Sequence, residues 1–229
     1  MKALTTEKER KVEMKQLRKV SKVEKIIFPV VVLVICAFIL PSVAPLLGFL
    51  MLGNLFKETG LTDRLSDIPF NTVLDVGCGT GEILNTIKNR FPAVSLYGID
   101  ISEEMLEKSK EKLLNTAELS LGDAELLPYE NDYFDLLICS DSFHHYPNPQ
   151  KAIEEFYRVL KTDGHLLMAD FWKPFPVRQL MNVFIPFSNE GDVKVYSKNE
   201  IVRFLKHVGF HGIVYQQVRN SSYLAIAKK

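Results

Sequence analysis

The sequence predicts an α/β fold, in which helices cover a doubly wound and mostly parallel sheet, preceded by an N-terminal apolar helical segment. Two observations carry this prediction. From residue 67 onward, short apolar runs of strand length alternate with amphipathic helical patterns of about 10–15 residues. Ahead of that region, residues 26–56 contain no charged side chain at all.

The first 25 residues form a basic tail. They carry nine Lys or Arg side chains against four Glu, a net charge of +5, although the whole chain balances 28 basic against 28 acidic residues. Such a tail favours an acidic surface or lipid headgroups as its neighbour. The balanced total, without a basic groove of interleaved aromatics, argues against a nucleic-acid partner.

The apolar segment 26–56 is long enough to cross a bilayer, which takes about 20 residues. Three prolines interrupt it, so each half is shorter as a helix than the roughly 30 Å hydrocarbon core. The positive-inside rule would keep the basic tail in the cytoplasm. A single crossing would then place the remaining chain outside, whereas a re-entrant hairpin turning at PSVAP would keep both ends inside. A buried helical pair within a soluble fold is the third alternative.

The run from Lys15 to Ser66, and PSVAPLLGFLMLGNL within it above all, resembles an internal piece of the membrane β subunit of sodium-pumping decarboxylases. In that family, such a segment lies among many other membrane helices. The resemblance implies a fusion of a transporter fragment to a second module, and contact of residues 1–56 with a membrane or a membrane protein. We carry over neither decarboxylation nor sodium transport.

The second module, residues 67–229, shows the alternation of strands and helices. The predicted strands are 72–78, 94–100, 117–123, 134–142 and 164–172, followed by two β-rich runs at 212–218 and 222–227. The predicted helices are 82–91, 102–115 and 150–161, and a fourth begins at a capping-box pattern formed by Ser197 and Glu200. We therefore expect one domain over 67–229.

The turn after the first predicted strand reads VLDVGCGTGEI, residues 73–83. Its spacing G-x-G-x-G differs from the G-x-G-x-x-G of pyrophosphate-binding folds, and no Gly-Lys-Ser/Thr of a P-loop follows. Glycines in such a turn let the backbone approach a ligand closely. Asp75 and Glu82 would repel a diphosphate but suit a ligand with a positive centre and an amino group. S-adenosyl-L-methionine carries both, so the charges favour it over NAD.

Two further acidic residues stand at predicted strand ends. Asp100 lies about 20 residues past the glycine loop, where a carboxylate can accept hydrogen bonds from ribose hydroxyls, and this feature alone fits NAD equally well. Asp123, in GDAELLPY, lies at the tip of the third strand, where it could accept from an adenine amino group. With FDLLICSDSFHHYPNP and VLKTDGHLL, the array resembles class I S-adenosylmethionine-dependent methyltransferases, especially their small-molecule and quinone-type branch, over 67–229.

The resemblance implies a Rossmann-like fold with a seven-stranded sheet, and it assigns residues to the cofactor. Asp75 and Ser140 would lie near the methionine end, Asp100 at the ribose, and Asp123 with Ala124 at the adenine edge. The full predicted set is Asp75, Gly77, Cys78, Gly79, Gly81, Asp100, Ile101, Asp123, Ala124 and Ser140. The carboxylates also have structural alternatives: bonding turn amides for Asp75, capping a turn for Asp123, and a helix N-terminal charge for Asp100.

Candidate catalytic residues follow the fourth predicted strand, at the carboxyl edge where open α/β sheets place their substrates. Methyl transfer depends mainly on positioning donor and acceptor, and a base matters only when the acceptor must lose a proton. His144 and His145 are candidates because a histidine pKa lies near neutrality, and Asp141 is a further candidate for base or acceptor orientation. The histidines could instead order their loop without chemistry.

No metal is expected from the sequence. The three cysteines, Cys36, Cys78 and Cys139, are far apart and show neither a metal-ligand spacing nor a disulfide framework. Reduced thiols of this kind are typical of a cytosolic protein.

Residues 171–196 are rich in Phe, Trp, Met and Pro, which predicts an apolar or aromatic pocket for a small methyl acceptor, or a lid packed on the sheet. Three functions remain open. The chain is a cytoplasmic methyltransferase for a small molecule, associated with a membrane through 26–56; a module that binds the cofactor without chemistry; or a component of a membrane decarboxylase complex, in which 67–229 is a passenger.

Overall fold

The computed structural model describes residue 65 and residues 68–187, 191–218 and 222–229. All of them fall within one compact unit, residues 51–229. The predicted basic tail, 1–25, and apolar segment, 26–56, lie outside the described residues, so the expectations about them stay predictions. Across the residues that are described, the helices are too short or too polar to cross a membrane.

Seven strands and five α-helices make up the described part of the chain. The strands are β1 Thr72–Val76, β2 Ser95–Asp100, β3 Glu118–Leu121, β4 Phe134–Ser140, β5 Leu160–Phe171, β6 His211–Val218 and β7 Ser222–Lys228. The helices are α1 Glu82–Arg90, α2 Glu103–Leu113, α3 Pro149–Val159, α4 Val177–Phe184 and α5 Lys198–Val208. Short 3-10 turns occupy Phe143–His145 and Ile185–Phe187.

The strands form a single sheet in the order β3-β2-β1-β4-β5-β7-β6. All neighbours are parallel except β7, which is antiparallel to both β5 and β6. The predicted mostly parallel, seven-stranded sheet is confirmed. Because the chain order reverses at β1, with β2 on one side and β4 on the other, the carboxyl ends of these strands border the crevice where such folds bind ligands.

The sheet is covered on both faces, which is why its central strands read as continuous apolar runs. Leu74 and Val76 of β1 face one core cluster, together with Phe156 of α3 and Ile201 of α5. Val73 faces the other cluster, which includes side chains of α1 and α2. This two-sided packing fixes β1, and therefore the glycine turn that follows it.

The predicted strand boundaries differ most at β5, which begins at Leu160 instead of residue 164. Its first residue pairs with Phe134 of β4, and a register shift follows between Phe134 and Leu136. Helix α4 was not predicted. Its apolar side chains Leu180, Val183 and Phe184 are exposed, so no buried stripe marks the helix as part of the core.

Candidate active site

The glycine turn between β1 and α1 is packed against neighbouring side chains at its first and last glycines and is open at its central glycine. All three glycines have positive φ, 71° at Gly77, 52° at Gly79 and 74° at Gly81, where a side chain is strained. A Cβ at Gly77 would lie 2.5 Å from Ser142, and one at Gly81 would collide with Ser109. A Cβ at Gly79 would meet no atom of the described residues within 4 Å. Gly79 therefore borders open space, as a ligand cradle requires.

Asp100, at the end of β2, ties this turn in place. Its Oδ2 accepts a hydrogen bond from the Gly79 N–H at 2.7 Å, and its Oδ1 accepts from the Ser102 N–H at 2.9 Å, at the start of α2. Asp100 thus also acts as a negative charge at the N-terminus of α2, which was the structural alternative expected for it. Each carboxylate oxygen can accept a second hydrogen bond, so the ribose contact stays a prediction.

Asp75 lies in β1 directly below the turn and is 1% exposed. Neither carboxylate oxygen has a hydrogen-bond partner among the described residues, so it does not bond the turn amides. Burial, reinforced by the charge of Asp100, raises the pKa of Asp75 to about 8. A buried, unpaired carboxylate is costly and calls for an explanation. An amino group bound above it would supply the missing partner.

The predicted adenine edge is formed by the turn after β3. The Gly122 N–H donates to the Asp100 carbonyl at 3.0 Å, which joins this turn to the end of β2. Asp123 accepts from the Glu125 N–H at 2.9 Å, so its turn-capping alternative is also present. Ala124 is buried, whereas Ile101 is 76% exposed beside Asp100. An exposed isoleucine next to an open turn offers an apolar surface for a planar ring.

A polar network that the sequence analysis missed lies beneath the glycine turn. Ser142 Oγ donates to the Val76 carbonyl at 3.2 Å and lies 3.0 Å from the Tyr146 hydroxyl. The predicted residue Ser140 is buried nearby in β4, and its Oγ has no hydrogen-bond partner in the part of the chain described here. In the sequence, Ser142 and Tyr146 stand four residues apart just after β4, and this spacing could have indicated their contact.

The candidate catalytic histidines follow β4 in the same turn. The Nδ1–H of His144 donates to Asp170 Oδ1 at 2.7 Å, and its backbone N–H donates to Asp170 Oδ2 at 3.0 Å. Burial alone would lower the pKa of His144, but the charge of Asp170 and the hydrogen bond to it raise this pKa to about 9. These two bonds hold the His144 loop to the end of β5, and a catalytic role for His144 stays a prediction.

Asp192 and Asp170, neither of them singled out from the sequence, complete this cluster. Asp192 Oδ1 lies 3.5 Å from His144 Nε2 and 3.3 Å from His145 Nδ1. Asp141, His144 and Asp170 also offer ligand atoms within 4.8 Å of one another, and Asp141 is in the left-handed region with φ 51°. Asp170 could have been found as a carboxylate near the end of a strand, whereas no sequence pattern marked Asp192.

Two families match different parts of the chain. Residues 74–168 match a family described as a methyltransferase domain, and residues 1–78 match the β subunit of the Na⁺-transporting oxaloacetate decarboxylase. Both resemblances expected from the sequence are confirmed. Over 76 residues, the chain is 55% identical to the oxaloacetate decarboxylase β chain of Klebsiella pneumoniae, covering 33% of this chain and 18% of that protein. The chain spans less than a quarter of the length of the curated relatives it matches.

Solved structures resemble about three quarters of the chain. A candidate methyltransferase from Bacillus halodurans superposes with a TM-score of 0.65 at 22% identity, over 77% of this chain and 99% of that one. A SAM-dependent methyltransferase from Aquifex aeolicus gives a TM-score of 0.61 at 23% identity, over 76% of this chain and 91% of that one. At such identities, the likeness establishes the fold.

Proposed function

We propose that this chain uses S-adenosyl-L-methionine to methylate a small apolar or aromatic molecule at the carboxyl edge of its sheet, because residues 74–168 match a methyltransferase domain family. One observation supports the cofactor's place more than any other. The unpaired carboxylate of Asp75 lies buried beneath a turn whose central glycine faces open space. When bound, the cofactor supplies a methyl group on a positively charged sulfur.

The residues around this space have distinct proposed roles. Asp75 pairs with the amino group of the cofactor, and Gly79 leaves room for it. Asp100 and Asp123 accept hydrogen bonds from its ribose and adenine, in addition to the backbone bonds that they already accept. A side chain at Gly77 would displace Ser142, so this glycine keeps the turn close to the end of β4.

The acceptor side is proposed to be formed by the segment after β5. It exposes a row of apolar side chains, namely Phe175, Val177, Leu180, Val183, Phe184 and Phe187. Asn182 anchors the segment, because its Nδ2 donates to the Val195 carbonyl at 3.0 Å and its Oδ1 accepts from the Val195 N–H at 2.9 Å. Exposed apolar surface of this kind supports an apolar acceptor. His145 and Asp141 are proposed to orient that acceptor and to assist the loss of its proton, whereas His144, whose pKa is raised to about 9, is proposed only to orient it.

Cofactor binding is tested with two matched glycine variants of the full chain, purified in detergent. Gly79 and Gly212 both have positive φ, 52° and 59°, and a Cβ at either meets nothing within 4 Å. Both alanine substitutions therefore carry a similar backbone strain, but only Gly79→Ala places a methyl group in the proposed cradle. We expect titration calorimetry to show a loss of S-adenosyl-L-methionine affinity of about tenfold or more for Gly79→Ala, equivalent to about 1.4 kcal/mol, and none for Gly212→Ala.

Equal affinities in both variants would place the cofactor elsewhere. Binding to the wild-type chain without formation of S-adenosylhomocysteine from any apolar acceptor tried would favour the second function, a module that binds the cofactor without chemistry.

Membrane association is a separate part of the proposal, supported by the apolar segment 26–56 and by the decarboxylase match over residues 1–78. We expect the full chain to sediment with phosphatidylcholine and phosphatidylglycerol vesicles and to stay bound in high salt. Salt would screen the basic tail but would not weaken burial of apolar residues. Release of the chain from the vesicles in high salt would show that only the basic tail contacts the membrane. A chain that never sediments would favour a buried helical pair or a protein partner.

A further inference from the structure

The cluster of His144, His145 and Asp192 has the arrangement of a metal-binding site. We propose that these three side chains bind a divalent transition-metal ion of the Zn²⁺ type at the acceptor edge of the sheet. The binding itself is independent of the proposed function.

The first argument is the spacing of the ligand atoms. Asp192 Oδ1 is 3.5 Å from His144 Nε2 and 3.3 Å from His145 Nδ1. Ligands about 2.0–2.1 Å from a tetrahedral zinc ion are separated from one another by about 3.3–3.4 Å. The two imidazole rings also lie together, with their centroids 4.0 Å apart. One ligand atom from each of the three residues lies within 4.8 Å of the other two, close enough for the three to surround one ion.

The second argument is the hydrogen bond behind the cluster. The Nδ1–H of His144 donates to the carboxylate of Asp170 at 2.7 Å, and Asp170 is 2% exposed. Metal-bound histidines usually donate their other ring N–H to a carboxylate or carbonyl in this way, which fixes the ring and directs the second nitrogen to the ion. Asp170 is itself held, because the N–H groups of His144 and Phe171 donate to its two oxygens.

The third argument is that Asp192 is positioned by the backbone and not by its own side chain. The N–H groups of Val193 and Lys194 both donate to the His144 carbonyl, at 2.8 and 3.2 Å. Gly191 has a φ of 78°, which turns the chain just before the aspartate. These backbone bonds bring the carboxylate of Asp192 to the two histidines.

The donor set indicates the class of ion. Two imidazoles with one carboxylate suit Zn²⁺, Fe²⁺, Co²⁺ or Ni²⁺, whereas Mg²⁺ and Ca²⁺ prefer oxygen donors alone. Three protein ligands leave a coordination position open, as in catalytic zinc sites.

The role of the ion, unlike its binding, rests on the proposed function. A hydroxyl or thiol acceptor at the open position would have its pKa lowered and release its proton to water. Its oxygen or sulfur would then form the new bond to the methyl carbon as the carbon–sulfur bond of the cofactor breaks, leaving a neutral thioether. The cluster would therefore select acceptors that carry such a group.

Metal binding is tested on the full chain after treatment with a chelator and without S-adenosyl-L-methionine. Zn²⁺ is titrated in competition with a chromophoric chelator, and Co²⁺ is added separately to record its visible absorption. The variants are His145→Ala and Asp192→Asn, with Asp170→Asn for the supporting carboxylate. The matched controls are His207→Ala and Asp163→Asn, at exposed positions outside the cluster.

We expect one Zn²⁺ per chain and Co²⁺ absorption bands typical of a low-coordinate site. Loss of a ligand in His145→Ala or Asp192→Asn should weaken Zn²⁺ binding by about 100-fold or more, and Asp170→Asn by about 10–100-fold, with both controls unchanged. No binding to the wild-type chain, or binding that neither ligand variant weakens, would overturn the proposal and leave a histidine–aspartate ion cluster. Because this titration omits the cofactor, its outcome is separate from that of the glycine test.

Discussion

Asp75→Asn is expected to raise the free energy of unfolding, and to raise it more as the pH increases from about 4 to about 8. The carboxylate is buried without a hydrogen-bond partner among the described residues, and its pKa in the folded chain is about 8, against 3.8 for an ordinary aspartate. Between these values, the unfolded chain has an ionised Asp75 and the folded chain a protonated one. Folding then takes up a proton, so stability falls as the pH rises.

The size of the effect follows from the two pKa values. Below about pH 4, Asp75 is protonated in both states, and the variant gains little. Above about pH 8, it is ionised in both, and the wild-type chain carries the full penalty of a buried charge, on the order of 5 kcal/mol. An amide cannot ionise, so the difference between the two proteins should grow across this window and then stay constant.

Denaturant unfolding of both full-length proteins at about pH 5 and about pH 9 measures this difference. Glu130→Gln removes one carboxylate at an exposed position and serves as the control. A stability gain that is the same at both pH values would show that Asp75 has a partner in the folded chain. The same variant should bind S-adenosyl-L-methionine more weakly, because an amide has no charge to pair with an amino group. Asp75→Asn would thus increase the stability of the folded chain and decrease its affinity for the cofactor.

The parts of the fold that the sequence could predict depend on short-range patterns. Apolar runs and amphipathic periodicity placed the seven strands and four of the five helices of the described residues. The signal is clearest for the central strands β1 and β4, which are buried on both faces. Helix α4 could not be predicted, because its apolar side chains are exposed and therefore mark no buried helix face. The predictions for 26–56 remain untested for a different reason, as the segment lies outside the described residues.

Some residues of the candidate site could likewise be predicted from short-range patterns, and others could not. The glycine turn and Asp100 could be predicted because ligand-binding residues follow parallel strands at one edge of the sheet. The partners of the histidines could not, because Asp170 comes close only through the pairing of β4 with β5. Asp192 comes close through backbone hydrogen bonds to His144, in a segment that has no periodic pattern. The expectation of no metal site followed from the wide separation of the three cysteines, which carries no information about a cluster of histidines and carboxylates.

Asp100→Ala is expected to weaken S-adenosyl-L-methionine binding by about 100-fold or more. The substitution removes a carboxylate that accepts from the Gly79 and Ser102 N–H groups, and in the proposed complex it also removes the acceptor for the ribose hydroxyls. Hydrogen bonds to charged groups contribute about 1.5–3 kcal/mol each. Loss of the two bonds from the ribose hydroxyls would therefore account for the expected loss of affinity. Titration calorimetry on the full chain measures it.

Affinity loss alone does not separate the two roles of Asp100, because a loosened glycine turn would also weaken binding. A double-mutant cycle separates them, with Asp100→Ala on the protein and removal of one ribose hydroxyl on the cofactor. If Asp100 accepts from that hydroxyl, the deoxy cofactor binds the wild-type chain less tightly, while the variant hardly distinguishes the two cofactors. If Asp100 only holds the turn, both proteins lose the same factor, and the ribose contact is excluded. We expect a coupling of about 1.5 kcal/mol or more, because each oxygen of Asp100 retains a lone pair for a second donor.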